Sequence, residues 1–284
     1  MKRKNFIRNT AIGIAGLAAG TSVAQKSTPD KEIVGFNHLP IHEERNMKSI
    51  IHRANTRGHA NHGWLDTHHT FSFASYYNPE RMHFGVLRVL NDDIVEGGHG
   101  FGTHPHDNME IISIPLEGDL EHKDSMGNTM VIRKNDVQIM SAGTGVQHSE
   151  KNRHRDQPVN FLQIWVFPKV KNITPRYDQK TYLPEDRQNR WQRIVSPEEE
   201  DAVTINQHAY FSLANISPGT TLPYTLQRSG NGLYAFVIEG QVQLADTPLD
   251  RRDGMGVWDV EGIEVTAQSP AEILLMEVPM TLGG

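Results

Sequence analysis

From residue 46 onward the apolar positions fall into short runs instead of a helical stripe. FGVLRVL (84 to 90), MEIISIPL (109 to 116), VQIMSA (137 to 142) and NFLQIWVFP (160 to 168) are each of strand length. Gly, Asn and Asp clusters separate them at the spacing of an all-β sandwich or barrel, and helical periodicity is weak throughout. KDSMGN (123 to 128) predicts a hairpin turn, with Gly127 and Asn128 taking positive φ. Two stretches break the β pattern. Residues 25–45 are polar, contain Pro29 and Pro40, and predict an extended arm. Residues 171–193 are polar, contain Pro175 and Pro184, and predict an inter-domain linker.

The pattern repeats. SIPLEGDLEH (113 to 122) leads through a turn to Asn135-Asp136 and an apolar run, and AFVIEGQVQL (235 to 244) leads to Asp253-Gly254 and another. The two Glu-Gly pairs, Glu117-Gly118 and Glu239-Gly240, lie 122 residues apart. This echo predicts a duplicated β-barrel, with an N-terminal domain over 46–170 and a C-terminal one over 194–284. Its chemistry is lopsided: of fifteen histidines only His208 lies beyond His154. Counted back from the Glu-Gly pairs, the positions of His104 and His106 are taken by Leu226 and Arg228 in the second copy. One metal site per chain, in the first barrel, is expected.

Composition narrows the function. A net charge of -6 with scattered basic residues argues against a partner bound by phosphate neutralisation, so no nucleic acid is expected. At the start, MKRKNF is basic and residues 10–24 form a small, uncharged apolar run ending in Ser22-Val23-Ala24 before Gln25. That is the pattern of a cleaved export signal over residues 1–24, and Arg3-Lys4-Asn5-Phe6-Ile7-Arg8 resembles a twin-arginine signal with Lys in the second basic place. A periplasmic chain without a membrane anchor after cleavage is expected. It has no cysteine, so it is not disulfide-stapled.

The candidate chemistry lies in GTHPHDNMEI (102 to 111). If one strand ran through it, His104, His106 and Glu110 would share a face. A second cluster, SAGTGVQHSEKN (141 to 152), puts His148 and Glu150 two apart, again on one face. Imidazoles and a carboxylate converging inside a barrel suit a borderline divalent metal: Fe, Mn, Ni, Cu or Zn. Four protein ligands leave open positions for chemistry. His59, His62, His68 and His69 are expected to rim the pocket or brace the barrel rather than bind a second metal. His122 and Asp124 beside the hairpin are expected at the surface, and Met140, Phe73 and Trp64 in the core or pocket wall.

These blocks resemble the pirins, a bicupin family of two tandem jelly-roll barrels, and in particular bacterial members with quercetin dioxygenase activity. The resemblance runs from about Arg53 to the C-terminus. It rests on RGHANHGWLDTHHTFSFASYY (57 to 77), GFGTHPHDNMEI (100 to 111), EGDLEHKDSMGN (117 to 128) and IMSAGTGVQHSE (139 to 150). It implies a metal, usually iron, held by His104, His106, His148 and Glu150, leaving Glu110 a supporting or structural carboxylate. It implies a flavonol such as quercetin and O2 as substrates, with Glu150 also the base that accepts the flavonol proton. The alternative within the family is a non-catalytic, redox-sensing module acting on a protein partner. The export signal departs from the well-known pirins, which are cytoplasmic or nuclear.

Overall fold

The computed structural model describes residues 47–282, so the expected export signal and polar arm lie outside the described residues. Twenty-two strands, two short 3-10 turns and no α-helix are found among them. The first half runs through β1 (Lys48–His52), β2 (Gly58–Asn61), β3 (Leu65–His69), β4 (Leu87–Val95), β5 (Gly100–His106) and β6 (Glu110–Glu117). It continues with β7 (Leu120–Asp124), β8 (Thr129–Ile132), β9 (Asp136–Ser141), β10 (Val146–Asn152), β11 (Val159–Val166) and β12 (Arg176–Thr181). The second half opens with β13 (Gln192–Ser196), β14 (Val203–Thr204), β15 (Tyr210–Ile216), β16 (Thr221–Thr225) and β17 (Asn231–Glu239). It closes with β18 (Val242–Leu244), β19 (Thr247–Leu249), β20 (Gly254–Trp258), β21 (Gly262–Ala267) and β22 (Ala271–Pro279).

These form four sheets. A seven-stranded sheet, β12-β9-β6-β11-β4-β3-β2, and a four-stranded one, β5-β10-β7-β8, make the first barrel. The second repeats the plan with β1-β20-β17-β22-β15-β13-β14 and β16-β21-β18-β19. The large sheets are covered on both faces, so their central strands read as nearly continuous apolar runs, as in β11 and β22. The small sheets face water on one side and alternate instead: β10 buries Val146, His148, Glu150 and Asn152 and turns Gln147 and Lys151 outward.

Where the large sheets meet, one apolar cluster joins Leu90, Ile112, Ile139 and Ile164 to Phe211, Tyr234, Phe236 and Met276. The barrels are therefore fused through a common core, and each keeps a separate interior.

The predicted duplication is present down to the turns. Glu117 ends β6 and Glu239 ends β17, and Gly118 and Gly240 follow at φ 74° and 81°. Three local expectations are corrected. Residues 171–193 are not a free linker, because β12 within them pairs with β9 and closes the edge of the first large sheet. β1, from the start of the expected N-terminal domain, pairs with β20 of the second barrel. The second barrel thus borrows an edge strand from the first half of the chain. In the hairpin between β7 and β8, Gly127 takes φ 95°, whereas Asn128 keeps negative φ and gives its backbone and side-chain N–H groups to Asp124 (3.1 and 2.8 Å).

Candidate metal centre

The two short motifs meet because β5 and β10 are antiparallel neighbours, with His104 opposite His148 and His106 opposite Val146. The register then slips: Glu150 stands opposite Phe101, so β5 spends one extra residue over this interval. Such a bulge re-aims side chains, and here it lets Phe101 join His104 and His106 in facing the interior. The loop feeding β10 depends on Gly143, at φ 49°, where a Cβ would stand 2.0 Å from the Ile173 carbonyl oxygen.

The imidazoles of His104, His106 and His148 form a triangle with ring centroids 4.4–4.9 Å apart. One nitrogen from each lies within 4.8 Å of the others. His104 donates Nδ1–H to the Gly102 carbonyl (2.8 Å), which leaves Nε2 bare as a lone-pair donor. His148 is buried, and neither of its ring nitrogens has a hydrogen-bond partner. Unpartnered buried polar atoms are costly, and a cation between these rings would take up the lone pair of one of the two. Burial, and then the neighbouring histidines, push the His148 imidazole down to about 2; burial and His104 push His106 down to about 4. Both rings are therefore neutral near pH 7, the form that ligates metal.

Glu150 is placed differently. It groups with His148 and His122, whose donor atoms also lie within 4.8 Å of one another, so His148 is common to both sets. Its Oε1 accepts from Ser113 Oγ (3.0 Å) and its Oε2 from Gln163 Nε2 (2.6 Å). Burial raises the carboxyl to about 7 against the pull of those two donors.

His122 corrects the expectation of a surface residue. It is fully buried, donates Nε2–H to the Asp124 carboxylate (3.0 Å), and packs its ring on His148 and Tyr177 at 5.3 and 5.0 Å. Ser113, Gln163 and His122 come from β6, β11 and β7, and no short motif joins them in sequence. The wall on the His106 side is aromatic: Trp165 meets His106 edge-on at 4.9 Å and Phe73 at 5.2 Å. Met140 is core, and Trp64 packs on Phe101 as expected.

Glu110 does not share a strand with the HPH histidines. The chain turns through Asn108 (φ 46°) and starts β6 at Glu110, whose side chain faces away from Ser113 and out of the barrel. There it accepts from Ser141 Oγ (2.7 Å) and from the Asn206 backbone N–H of the second half (3.0 Å). It is a structural carboxylate fastening the halves together. The four upstream histidines also separate. His69 is buried and bonded to Asn91 Oδ1 (2.9 Å), His62 is exposed, and His59 and His68 lie together on the outer face with Asp66.

In the second barrel the ladders give the true counterparts. Leu120 faces Asn152, and 122 residues on Val242 faces Ala267. Stepping back in twos, Glu150 matches Val265 and His148 matches Ile263, whose partner across the ladder is Tyr224. Tyr224 thus stands for His104 and Leu226 for His106. Arg228 lies past the end of β16, its backbone N–H on Glu277 (3.0 Å). Ser113 and its partner Gln163 become Ala235 and Leu275.

Known proteins share this plan. Residues 51–166 match the family described as Pirin, and residues 193–278 the one described as Quercetinase C-terminal cupin domain. A quercetin 2,3-dioxygenase of Escherichia coli (strain K12) is 40% identical over 230 residues, covering 81% of this chain and 98% of the relative. The solved bacterial pirin YhhW from Escherichia coli, in complex with nickel(II), superimposes with a TM-score of 0.78 at 39% identity, over 82% of this chain and 99% of that one. A quercetin 2,3-dioxygenase from Acinetobacter baumannii, at 18% identity and a TM-score of 0.66 over 83% of this chain and 81% of that one, shares the fold. With both barrels matched and a histidine cluster able to hold a metal in the first, the chain belongs to the pirin family.

Proposed function

We propose that the first barrel is the active site of a metal-dependent dioxygenase that opens a flavonol such as quercetin with O2. His104, His106 and His148 hold one divalent ion, iron in the first instance, and Glu150 is the fourth ligand. The observation that carries this is His148, buried with two unpartnered nitrogens between two further imidazoles. The name of the E. coli relative supports the reaction, and the nickel(II) of the solved relative supports a borderline metal.

When bound, the ion supplies a Lewis acid that lowers the pKa of a chelating flavonol hydroxyl and open positions at which the electron-rich ring meets oxygen. The chain's own residues do the rest. Glu150, as a carboxylate with a lone pair left beside the ion, is placed to take the hydroxyl proton. Gln163 Nε2 and Ser113 Oγ each occupy one carboxylate oxygen and fix its plane, leaving lone pairs free on both. His104 and His106 are half-exposed and mark the mouth, whereas His148 and Glu150 form the buried floor. Trp165 and Phe73 give a planar substrate an apolar surface to lie against and keep water off that side.

The test is oxygen uptake by iron-loaded protein with a panel of flavonols and catechols. Consumption matched to flavonol loss, and absent in His148→Ala, is the expected result. No uptake with any of them would remove the enzyme reading and leave the redox-sensing alternative. Export belongs to the same proposal and rests on residues 1–24 alone; protein recovered from the periplasm should begin near Gln25.

A further inference from the structure

A second group of donors lies outside the barrel. β2 and β3 form an antiparallel ribbon in which His59 faces His68 and Asn61 faces Asp66. Since 59 and 61, and 66 and 68, are each two apart, all four side chains project from one face. Asp66 Oδ1 is 2.9 Å from His59 Nε2 and 3.6 Å from His68 Nδ1, and the two rings stack with centroids 4.4 Å apart. Two ligands about 2.1 Å from one ion and 90–109° apart stand about 3.0–3.4 Å from each other. The observed separations bracket that range.

The second carboxylate oxygen is spoken for. Asn61 Nδ2 donates to Asp66 Oδ2 (3.2 Å), and Asn61 Oδ1 is itself fixed by the Gly63 N–H (2.8 Å). This turns Oδ1 toward the imidazoles, the outer support that metal-bound carboxylates commonly have. A hydrogen bond can account for His59 but not for His68, whose Nδ1 at 3.6 Å is out of hydrogen-bond range. Arg57 is the nearby positive charge that opposes a cation, but Asp92, 3.6 Å from its guanidinium, counters it.

We infer that His59, Asp66 and His68 form a second metal site on the outer face of the first barrel, selective for borderline divalent ions such as Zn(II), Ni(II) or Cu(II). Two imidazoles and one carboxylate suit those ions rather than Mg(II) or Ca(II). With three ligands and half-exposed side chains, it binds more weakly than the buried centre and exchanges readily with solvent. The inference is independent of the flavonol reading, because it uses none of the residues inside the barrel.

The experiment is equilibrium dialysis of the tag-free, metal-free full chain against Zn(II) and Ni(II), with metal analysis. A His104→Ala/His148→Ala chain should still bind one ion. Adding His59→Ala or Asp66→Asn to it should weaken that binding by at least about 10-fold, and Asn61→Ala by about 10-fold. If the doubly substituted chain fails to fold, the same question is put to the unaltered interior. There, His59→Ala should remove the weaker of two ions and leave the tighter one. Retention of all bound metal after His59→Ala and Asp66→Asn, or binding of a single ion indifferent to both, would overturn the inference.

Discussion

The two barrels share one chain path and differ in what fills them. In the second, Leu222, Leu233, Val237, Leu244, Val265 and Leu275 belong to a single continuous apolar cluster. In the first, apolar packing splits into a group around Phe161 and Leu120 at one end and a group around Ile111 and Met140 at the other. Between them lie His148, His122, Glu150, Ser113 and Gln163, all buried. The second barrel is a filled scaffold; the first gives up part of its apolar core for a polar centre that is unsatisfied without a cation. A duplicated fold can thus hold a reactive interior because its twin, fused through the common core, is conventionally packed.

Exchanging residues between the barrels tests this contrast. Leu275→Gln places in the second barrel the amide that Gln163 supplies in the first, but Val265 stands where Glu150 would receive it. The buried Glu277 two residues on already accepts from Tyr224, Asn231 and two backbone N–H groups. The substitution should cost about 3 kcal/mol or more, combining lost packing with an unpaired buried amide, and appear as a lower denaturation midpoint. Little change would mean that the packing around Leu275 tolerates an unpaired amide.

Glu150→Gln should lower flavonol turnover by about 10²-fold or more while retaining metal weakly. Its metal-free form should behave oppositely in stability. The Glu150 carboxyl sits near 7 in the folded chain against 4.5 for an ordinary glutamate, so the unfolded chain releases its proton first. Stability from this group is therefore complete below pH 4.5 and lost as pH rises through 7, on the order of 3 kcal/mol in full. The Gln variant lacks that loss, so its advantage over the parent should grow across this window. The low pKa values of His148 and His106 slope the other way but are common to both proteins. A difference that does not change with pH would show that Glu150 is charged in the metal-free fold.

The smallest effect is expected from Gln163→Leu, which gives the first barrel the second's residue. It removes the 2.6 Å bond to Glu150 without touching a proposed ligand, and should cost about 10-fold in metal affinity or turnover.

The sequence revealed most where partners are close along the chain. The grouping of His104 and His106 with His148 could be read from two short motifs, whereas Glu150 as fourth ligand in place of Glu110 rests on the pirin resemblance; the Glu-Gly turns exposed the duplication. Parity misled at Glu110, since a single residue at positive φ, Asn108, ends one strand and lets the next begin on a new face. His122 looked like part of a turn because its buried surroundings, His148 and Tyr177, come from β10 and β12. The crossing of β1 to the second barrel left no local trace: Lys48 pairs with Trp258, and nothing within either segment marks the other. Strand type is a local property, whereas edge pairing is decided by whichever strand completes a distant sheet.

The most direct test of the contrast is anomalous diffraction from crystals of the chain loaded with one equivalent of iron under anaerobic conditions. The account predicts one fully occupied peak in the first barrel, about 2.0–2.3 Å from nitrogens of His104, His106 and His148 and from an oxygen of Glu150. It predicts no peak among Tyr224, Leu226 and Ile263. A first barrel without metal at that stoichiometry, or an ion inside the second, would contradict it.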